Sequence, residues 1–130
     1  MEKQFTSNAK LTQLNIEGNA NNGIISLSGN FFNTVISGVS AQKVYDDFLQ
    51  WLEEYSEHPQ KNTSVFFEVF YSDTPSTLFL TKVCGRLFRI SDKSNLKATW
   101  HYSSDDEAIH DLGQELQLAT SIELQFKTRN

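Results

Sequence analysis

The sequence predicts an α/β fold: a single mixed β-sheet of five to six strands with three main helices. Two kinds of segment along the chain predict it. Segments rich in β-branched and aromatic residues alternate along the chain with segments whose apolar residues recur at helical spacing. Strands joined through helices pair in parallel by right-handed crossovers, so the expected order is an N-terminal hairpin followed by β-α-β-α-β-α-β. The length of 130 residues suits one domain, residues 1–130, with a core that needs no disulfide.

The N-terminal part of the chain predicts the hairpin. Residues 1–10 are polar and are expected to be flexible, and Leu14–Glu17 alternates apolar with polar residues like a short edge strand. A loop rich in Asn and Gly follows. Two further strands are then expected, Ile24–Leu27 and Phe31–Ser37, with Gly29-Asn30 as a tight turn between them.

The middle of the chain predicts a helix and the central strand of the sheet. Ser40 is a favourable N-cap, and apolar residues at helical spacing, among them Phe48 and Trp51, extend the first helix to about Tyr55. Ser64–Tyr71 is β-branched and aromatic, which is typical of a central strand.

The second helix is predicted over Pro75–Phe88. Thr74 is expected to be its N-cap, with Pro75 at the first helical position, where its missing N–H costs nothing. The apolar face of this helix contains Phe79, Leu80, Val83 and Leu87.

The C-terminal part predicts a strand, a helix and a strand. Leu96–Tyr102 alternates as a half-buried strand should. Ser104 followed by Glu107 has the spacing of a capping box, which places a helix start there. The inner face of that helix is expected to contain Ile109, Leu112 and Leu116, and a last strand is expected at Ile122–Phe126.

The charge of the chain excludes some classes of partner. The net charge is −5 and the pI about 5.1, whereas nucleic acids and anionic membrane surfaces attract basic proteins. We therefore expect no nucleic-acid partner. We also expect no membrane insertion, because no apolar run approaches transmembrane length. The N-terminus lacks the apolar segment of a signal peptide, so a cytoplasmic location is expected.

Few residues have a spacing that points to catalysis or metal binding. Cys84, the single cysteine, falls in an apolar helical pattern and is expected to be buried. The three histidines have no ligand spacing, so we expect no metal and no cofactor. The acidic run Asp105, Asp106 and Glu107 has two interpretations. It either complements the positive end of a helix dipole or contacts basic groups of a partner.

Thr74 also has two interpretations. A hydroxyl at a helix start faces N–H groups that have no partner within the helix, so Thr74 can act as a plain cap. A phosphate on the same oxygen would occupy the place where helix starts bind anions. The residues alone leave both interpretations open.

From Leu14 to its C-terminus the chain resembles the SiaC family of bacterial regulatory phosphoproteins. Four segments carry the resemblance in the family's order. The first is Leu14-Asn15-Ile16-Glu17-Gly18, and the second is Ile36-Ser37-Gly38-Val39-Ser40 together with the helix Phe48-Leu49-Gln50-Trp51-Leu52-Glu53-Glu54-Tyr55. The third is Tyr71-Ser72-Asp73-Thr74-Pro75-Ser76, which corresponds to the family's Y-F-N-T-S-S. The fourth is Trp100-His101-Tyr102 together with Asp105-Asp106-Glu107 and Gly113. The junction departs from the family pattern at Ser72, Asp73 and Pro75.

The resemblance implies a signalling switch rather than an enzyme, with a fold similar to that of anti-sigma-factor antagonists. It implies that Thr74 is phosphorylated by a dedicated kinase and dephosphorylated by a PP2C-type phosphatase. The unmodified form is then expected to bind a downstream effector. In the family's best-known case this is a diguanylate cyclase, which implies c-di-GMP signalling and control of biofilms. The expected docking surface contains Tyr71, Asp73, Pro75, Ser76, Thr77, Asp105, Asp106 and Glu107.

Two other classes compete with this interpretation. Size and pI fit equally well a protein-binding module that works without phosphorylation, such as an acidic secretion chaperone. A small enzyme would combine Asp106 or Glu107 with His101 or His110, and it requires those groups within hydrogen-bond reach of one another.

Overall fold

A computed structural model describes residues 1–129 and contains the predicted mixed sheet with three helices. The elements are β1 (Gln4–Thr6), β2 (Leu14–Asn19), β3 (Ile24–Phe31), β4 (Val35–Ile36), β5 (Val39–Ser40), α1 (Ala41–Glu57), β6 (Asn62–Ser72), α2 (Thr74–Ile90), β7 (Asn95–Tyr102), α3 (Glu107–Thr120) and β8 (Leu124–Thr128). The predicted fold class is confirmed.

The main sheet has six strands in the order β1-β2-β3-β6-β7-β8. The pairs β1-β2 and β2-β3 are antiparallel, whereas β3, β6, β7 and β8 run parallel. Each helix connects one parallel strand to the next in the same direction across the sheet. Because such crossovers are right-handed, all three helices lie on one face, where α2 packs between α1 and α3.

The core lies between the sheet and these helices. Trp51 and Trp100 are buried, as their patterns predicted. The indole N–H of Trp100 donates to the carbonyl of Ile109 at 3.0 Å and so ties β7 to α3. The close approach depends on Gly113, since a Cβ there would lie 2.8 Å from the Trp100 Nε1 atom.

The N-terminal hairpin differs from its prediction. The hairpin pairs β2 with β3, and residues 4–6, expected to be flexible, add the edge strand β1. The predicted turn at Gly29-Asn30 is wrong, because β3 continues through it with a bulge in its pairing to β6. Gly29 has a φ of 120°, and a Cβ there would lie 2.1 Å from the carbonyl oxygen of Gln13. The glycine therefore serves a bulge and a close backbone contact rather than a turn.

Two of the three predicted helix caps are also different. Ser40 caps α1 as predicted and accepts from the Lys43 N–H at 3.3 Å. Thr74 does not cap α2, because Asp73 does and Thr74 is the first helical residue. Ser104 does not cap α3, because Asp106 does and Glu107 is the first helical residue. Ser, Thr and Asp are nearly equivalent caps, so local preference alone did not choose among neighbouring candidates.

Candidate phosphorylation and docking site

The candidate site lies at one edge of the sheet. Because β3, β6 and β7 are parallel, their carboxyl ends meet at the same edge. The start of α2 follows the end of β6, and the start of α3 follows the end of β7. Loops at the carboxyl edge of an open α/β sheet commonly carry its binding residues. The topology therefore brings Thr74, the segment after β3 and the acidic run to one side of the molecule.

Thr74 is exposed at the start of α2. Within residues 1–129 neither its hydroxyl nor its backbone N–H has a hydrogen-bond partner. Pro75, at the second helical position, is also exposed and has no N–H. An incoming group can therefore reach the Thr74 oxygen without breaking an internal contact.

Asp73 holds a negative charge beside that oxygen. Its Oδ1 accepts from the Ser76 N–H at 2.9 Å, and its Oδ2 accepts from the Asn33 N–H at 2.7 Å. Partial burial raises the pKa of Asp73, but the hydrogen bonds from Ser76 and Asn33 outweigh it and hold the pKa below its ordinary value. The carboxylate thus already occupies the anion position at the start of α2.

Ser76 and Thr77 do not present their hydroxyls as expected. Ser76 is fully buried, and its Oγ lies 2.9 Å from the hydroxyl of Tyr45 on α1. The expectation that Ser76 is an exposed partner contact is therefore wrong. The burial of Ser76 could have been predicted from the sequence, because Ser76 lies three residues before the core residue Phe79 and therefore on the same face of α2. Thr77 is half-buried, with its hydroxyl 2.9 Å from that of Ser72.

The Tyr45 hydroxyl completes a buried polar cluster under the site. Burial raises its pKa to about 12, the Ser76 hydrogen bond opposes this, and the charge of Asp73 adds to it. Tyr45 also donates to the carbonyl of Phe32 at 3.4 Å. The cluster therefore connects α1, the start of α2 and the segment after β3.

Exposed apolar side chains lie on the segment after β3 and at the end of β6, at the same edge of the sheet as Thr74. The rings of Phe32 and Tyr71 lie 4.8 Å apart between centroids and are 38% and 47% exposed. Val35 and Ile36 on β4 are also exposed, and Ile36 lines a small cleft together with Phe32. We call Phe32, Val35, Ile36 and Tyr71 the apolar patch. Of these four residues only Tyr71 belongs to the docking surface expected from the sequence, because the other three lie in the predicted strand Phe31–Ser37.

The acidic run at the start of α3 divides into structural and exposed residues. Asp106 is the cap and accepts from the Ile109 N–H at 3.1 Å. Asp105 and Glu107 are exposed. The interpretation as a helix cap is therefore confirmed for Asp106, and Asp105 and Glu107 are accessible to solvent.

Among the described residues, no hydrogen bond or ion pair joins the side chain of His101 or His110 to that of Asp106 or Glu107. His101 lies on the sheet face opposite the helices and stacks with Phe66, whereas His110 on α3 contacts Tyr102 and Phe126. Cys84 is buried, and burial raises its thiol pKa to about 12, so it is a poor nucleophile. In the part of the chain that the structure describes, no three His, Cys, Asp or Glu side chains gather as metal ligands, and no helix has the length and apolarity needed to span a bilayer.

Fold and site together define an α/β domain, backed by helices on one face, that exposes a threonine hydroxyl at a helix start. The family model of the SiaC family regulatory phosphoprotein matches residues 7–129, so the chain belongs to that family. No sequence among curated proteins matches the chain.

Solved structures from Pseudomonas aeruginosa have the same fold. SiaC is 15% identical, with a TM-score of 0.80, and the match covers 99% of this chain and 100% of that one. Apo-SiaC is 15% identical, with a TM-score of 0.76 and coverage of 98% and 99%. A chain from the crystal structure of the diguanylate cyclase SiaD in complex with its activator SiaC is 16% identical, with a TM-score of 0.73 and coverage of 89% and 92%.

Proposed function

We propose that this protein is a single-domain cytoplasmic signalling switch without enzymatic activity of its own, controlled by reversible phosphorylation of Thr74. A dedicated kinase adds the phosphate, and a PP2C-type phosphatase removes it. The unphosphorylated form binds and regulates a downstream effector. The observation that carries the proposal is the exposed position of Thr74, whose hydroxyl has no hydrogen-bond partner within residues 1–129.

A diguanylate cyclase is the proposed class of effector, with c-di-GMP signalling and biofilm formation as the output. Support comes from the solved complex in which a SiaC protein is the activator of such an enzyme. The proposed docking surface contains Thr74 and the apolar patch at the same edge of the sheet. Pro75 extends it, and the exposed carboxylates of Asp105 and Glu107 are suited to basic groups of the effector.

Phosphorylation would change this surface without unfolding the domain. A phosphate adds about −1.5 to −2 charges and three acceptor oxygens. The dipole of α2 favours an anion at its start by about 0.3–1 kcal/mol, although Asp73 already uses part of that field. At an interface with apolar neighbours the same phosphate must lose bound water, which costs free energy. Each 1.4 kcal/mol, roughly, of this desolvation cost weakens the affinity for the effector tenfold.

The test combines intact-mass analysis with binding. Incubation with the kinase and ATP should add the mass of one phosphate to the wild type and to Thr74→Ser, but not to Thr74→Ala. Thr77→Ala, which removes a half-buried hydroxyl nearby, should still accept the phosphate. A phosphate on Thr74→Ala would overturn the assignment of the acceptor.

Binding separates the switch from a module that works without phosphorylation. Calorimetric titration of the effector should give at least about a tenfold weaker Kd for the phosphorylated protein than for the unmodified one. Thr74→Ala should bind like the unmodified wild type, even after treatment with the kinase. Equal affinity of the two forms would favour the phosphorylation-independent module and contradict the switch.

A further inference from the structure

We propose that Asp73 is a positioning residue that couples Thr74 to the apolar patch: its carboxylate holds the segment after β3 in place, and a phosphate on Thr74 releases that segment. The inference rests on the proposed function and adds to it a structural route from modification to docking. It assigns to the switch a local rearrangement as well as a change of charge.

Asp73 holds the segment after β3 by two separate contacts. Its backbone N–H donates to the carbonyl of Phe31 at 3.0 Å, at the end of β3. Its Oδ2 accepts from the Asn33 N–H at 2.7 Å, on the far side of Phe32. Phe32 therefore lies between two residues that are both bonded to Asp73. Because the Phe32 ring contacts Tyr71, these bonds fix one half of the aromatic pair.

The segment held by Asp73 has few other attachments. The Tyr45 hydroxyl donates to the Phe32 carbonyl at a long 3.4 Å, and the Ala41 N–H donates to the Thr34 carbonyl at 2.8 Å. The β4-β5 hairpin that follows has only two residue pairs, and so small a hairpin is marginal by itself. A charge-assisted hydrogen bond is stronger than these neutral ones. Losing the Asn33 contact should therefore loosen the apolar patch.

A phosphate on Thr74 acts directly on this contact. Its charge would lie one residue from the Asp73 carboxylate and would repel it. Its oxygens are also strong acceptors placed beside the Thr74 N–H, which has no partner within the described residues. If the carboxylate turns away from the phosphate, the Asn33 N–H loses its acceptor. The patch would then be disordered on one side by the modification itself.

Asp73→Asn is the variant that isolates this role. A carboxylate has two acceptor oxygens, and Asp73 uses one for Ser76 and the other for Asn33. An amide has one acceptor oxygen and a donor NH₂ group. Asp73→Asn can therefore still cap α2 through the Ser76 N–H, but it presents a donor to the Asn33 N–H. Asn caps helices as well as Asp does, so the fold should survive the change.

Hydrogen exchange of the Asn33 amide, followed by NMR at pH 7, is the test. The exchange rate of this amide should be higher in Thr74→Glu and in the phosphorylated wild type than in the unmodified wild type, by a factor on the order of tenfold. Asp73→Asn should show the same increase, and adding Thr74→Glu to it should cause no further change. The amide of Val65, in the buried central strand, serves as the control and should not change in any variant.

The outcomes separate this inference from the proposed function. Unchanged exchange at Asn33 in a protein that carries phosphate on Thr74 would overturn the coupling and leave the phosphorylation switch intact. Absence of phosphorylation would overturn the switch, while Thr74→Glu would still test the coupling. Thr74→Glu could also raise the Asn33 exchange rate by the same factor in the wild type and in Asp73→Asn. The effect would then not depend on Asp73, and this result would also overturn the inference.

Discussion

Replacing Ser76 by Ala tests whether the buried hydrogen bond to Tyr45 on α1 stabilises the start of α2. Ser76 is fully buried, and its hydroxyl is paired with that of Tyr45 at 2.9 Å. The change removes a net contribution of about 1 kcal/mol from that hydrogen bond. The Tyr45 hydroxyl then keeps only the long contact to the Phe32 carbonyl at 3.4 Å, which raises the total cost toward the 1–3 kcal/mol, roughly, of a buried polar group left without a partner. We expect the free energy of unfolding to fall by about 1–3 kcal/mol.

Urea unfolding followed by tryptophan fluorescence measures this loss, because Trp51 and Trp100 are both buried. With an m-value of about 1–3 kcal/mol/M, the midpoint should fall by about 1 M. Thr74→Ala is the matched control, since it removes an exposed hydroxyl from the same helix start and should change stability by less than about 0.5 kcal/mol.

A double-mutant cycle attributes the loss to the contact between Ser76 and Tyr45. Tyr45→Phe alone should destabilise the protein, and the double variant should cost less than the sum of the two single changes. If Ser76→Ala is no more destabilising than Thr74→Ala, the buried hydrogen bond is not an anchor. The assignment of Ser76 to the interior would then be wrong, and Ser76 would return as a candidate partner contact.

Two other predictions concern helix packing and pH. Gly113→Ala places a Cβ 2.8 Å from the Trp100 Nε1 atom and should lower the free energy of unfolding in urea by about 1–3 kcal/mol. At Gly85, a Cβ would meet no atom within 4 Å apart from those of its own helix turn, so Gly85→Ala should raise the free energy of unfolding by up to about 1 kcal/mol. Equal effects at both sites would contradict the close packing of α3. Because the pKa of Asp73 is lowered in the folded state, its carboxylate stabilises the fold above its unfolded pKa of about 4, and this stability is lost as pH falls through the folded pKa. At pH 7 the urea midpoint of the wild type should therefore be higher than that of Asp73→Asn, and the difference between the two midpoints should be smaller at pH 3. A difference that does not depend on pH would contradict a role for the charge.

Periodicity predicted the elements whose pattern is long. The central strand was expected at Ser64–Tyr71 and is Asn62–Ser72, and the second helix, expected at Pro75–Phe88, is Thr74–Ile90. Such segments are recognised because many residues repeat the same spacing. The place of Thr74 at the junction between this strand and this helix also agrees with the prediction, although Asp73 and not Thr74 is the cap.

Short signals were less informative because several arrangements satisfy them. Gly29-Asn30 has the composition of a turn, but the chain uses Gly29 to bulge beside β6. The pairing partner of a strand is remote in sequence, so no local pattern distinguishes a turn from a bulge at this position. The strands β4 and β5 have two residues each, which is too short for periodicity to detect.

Local sequence patterns were sufficient to predict the α/β class, the order of the main helices and strands, and a hydroxyl at the start of the second helix. These depend on propensity and spacing, which act over a few neighbouring residues. Packing between elements, in contrast, makes Asp73 the cap of α2, buries Ser76 against Tyr45 and places Phe32 beside Tyr71. Each of these contacts joins residues from different elements or selects one of several equivalent caps. The choice therefore follows from where the elements pack, which no single segment encodes.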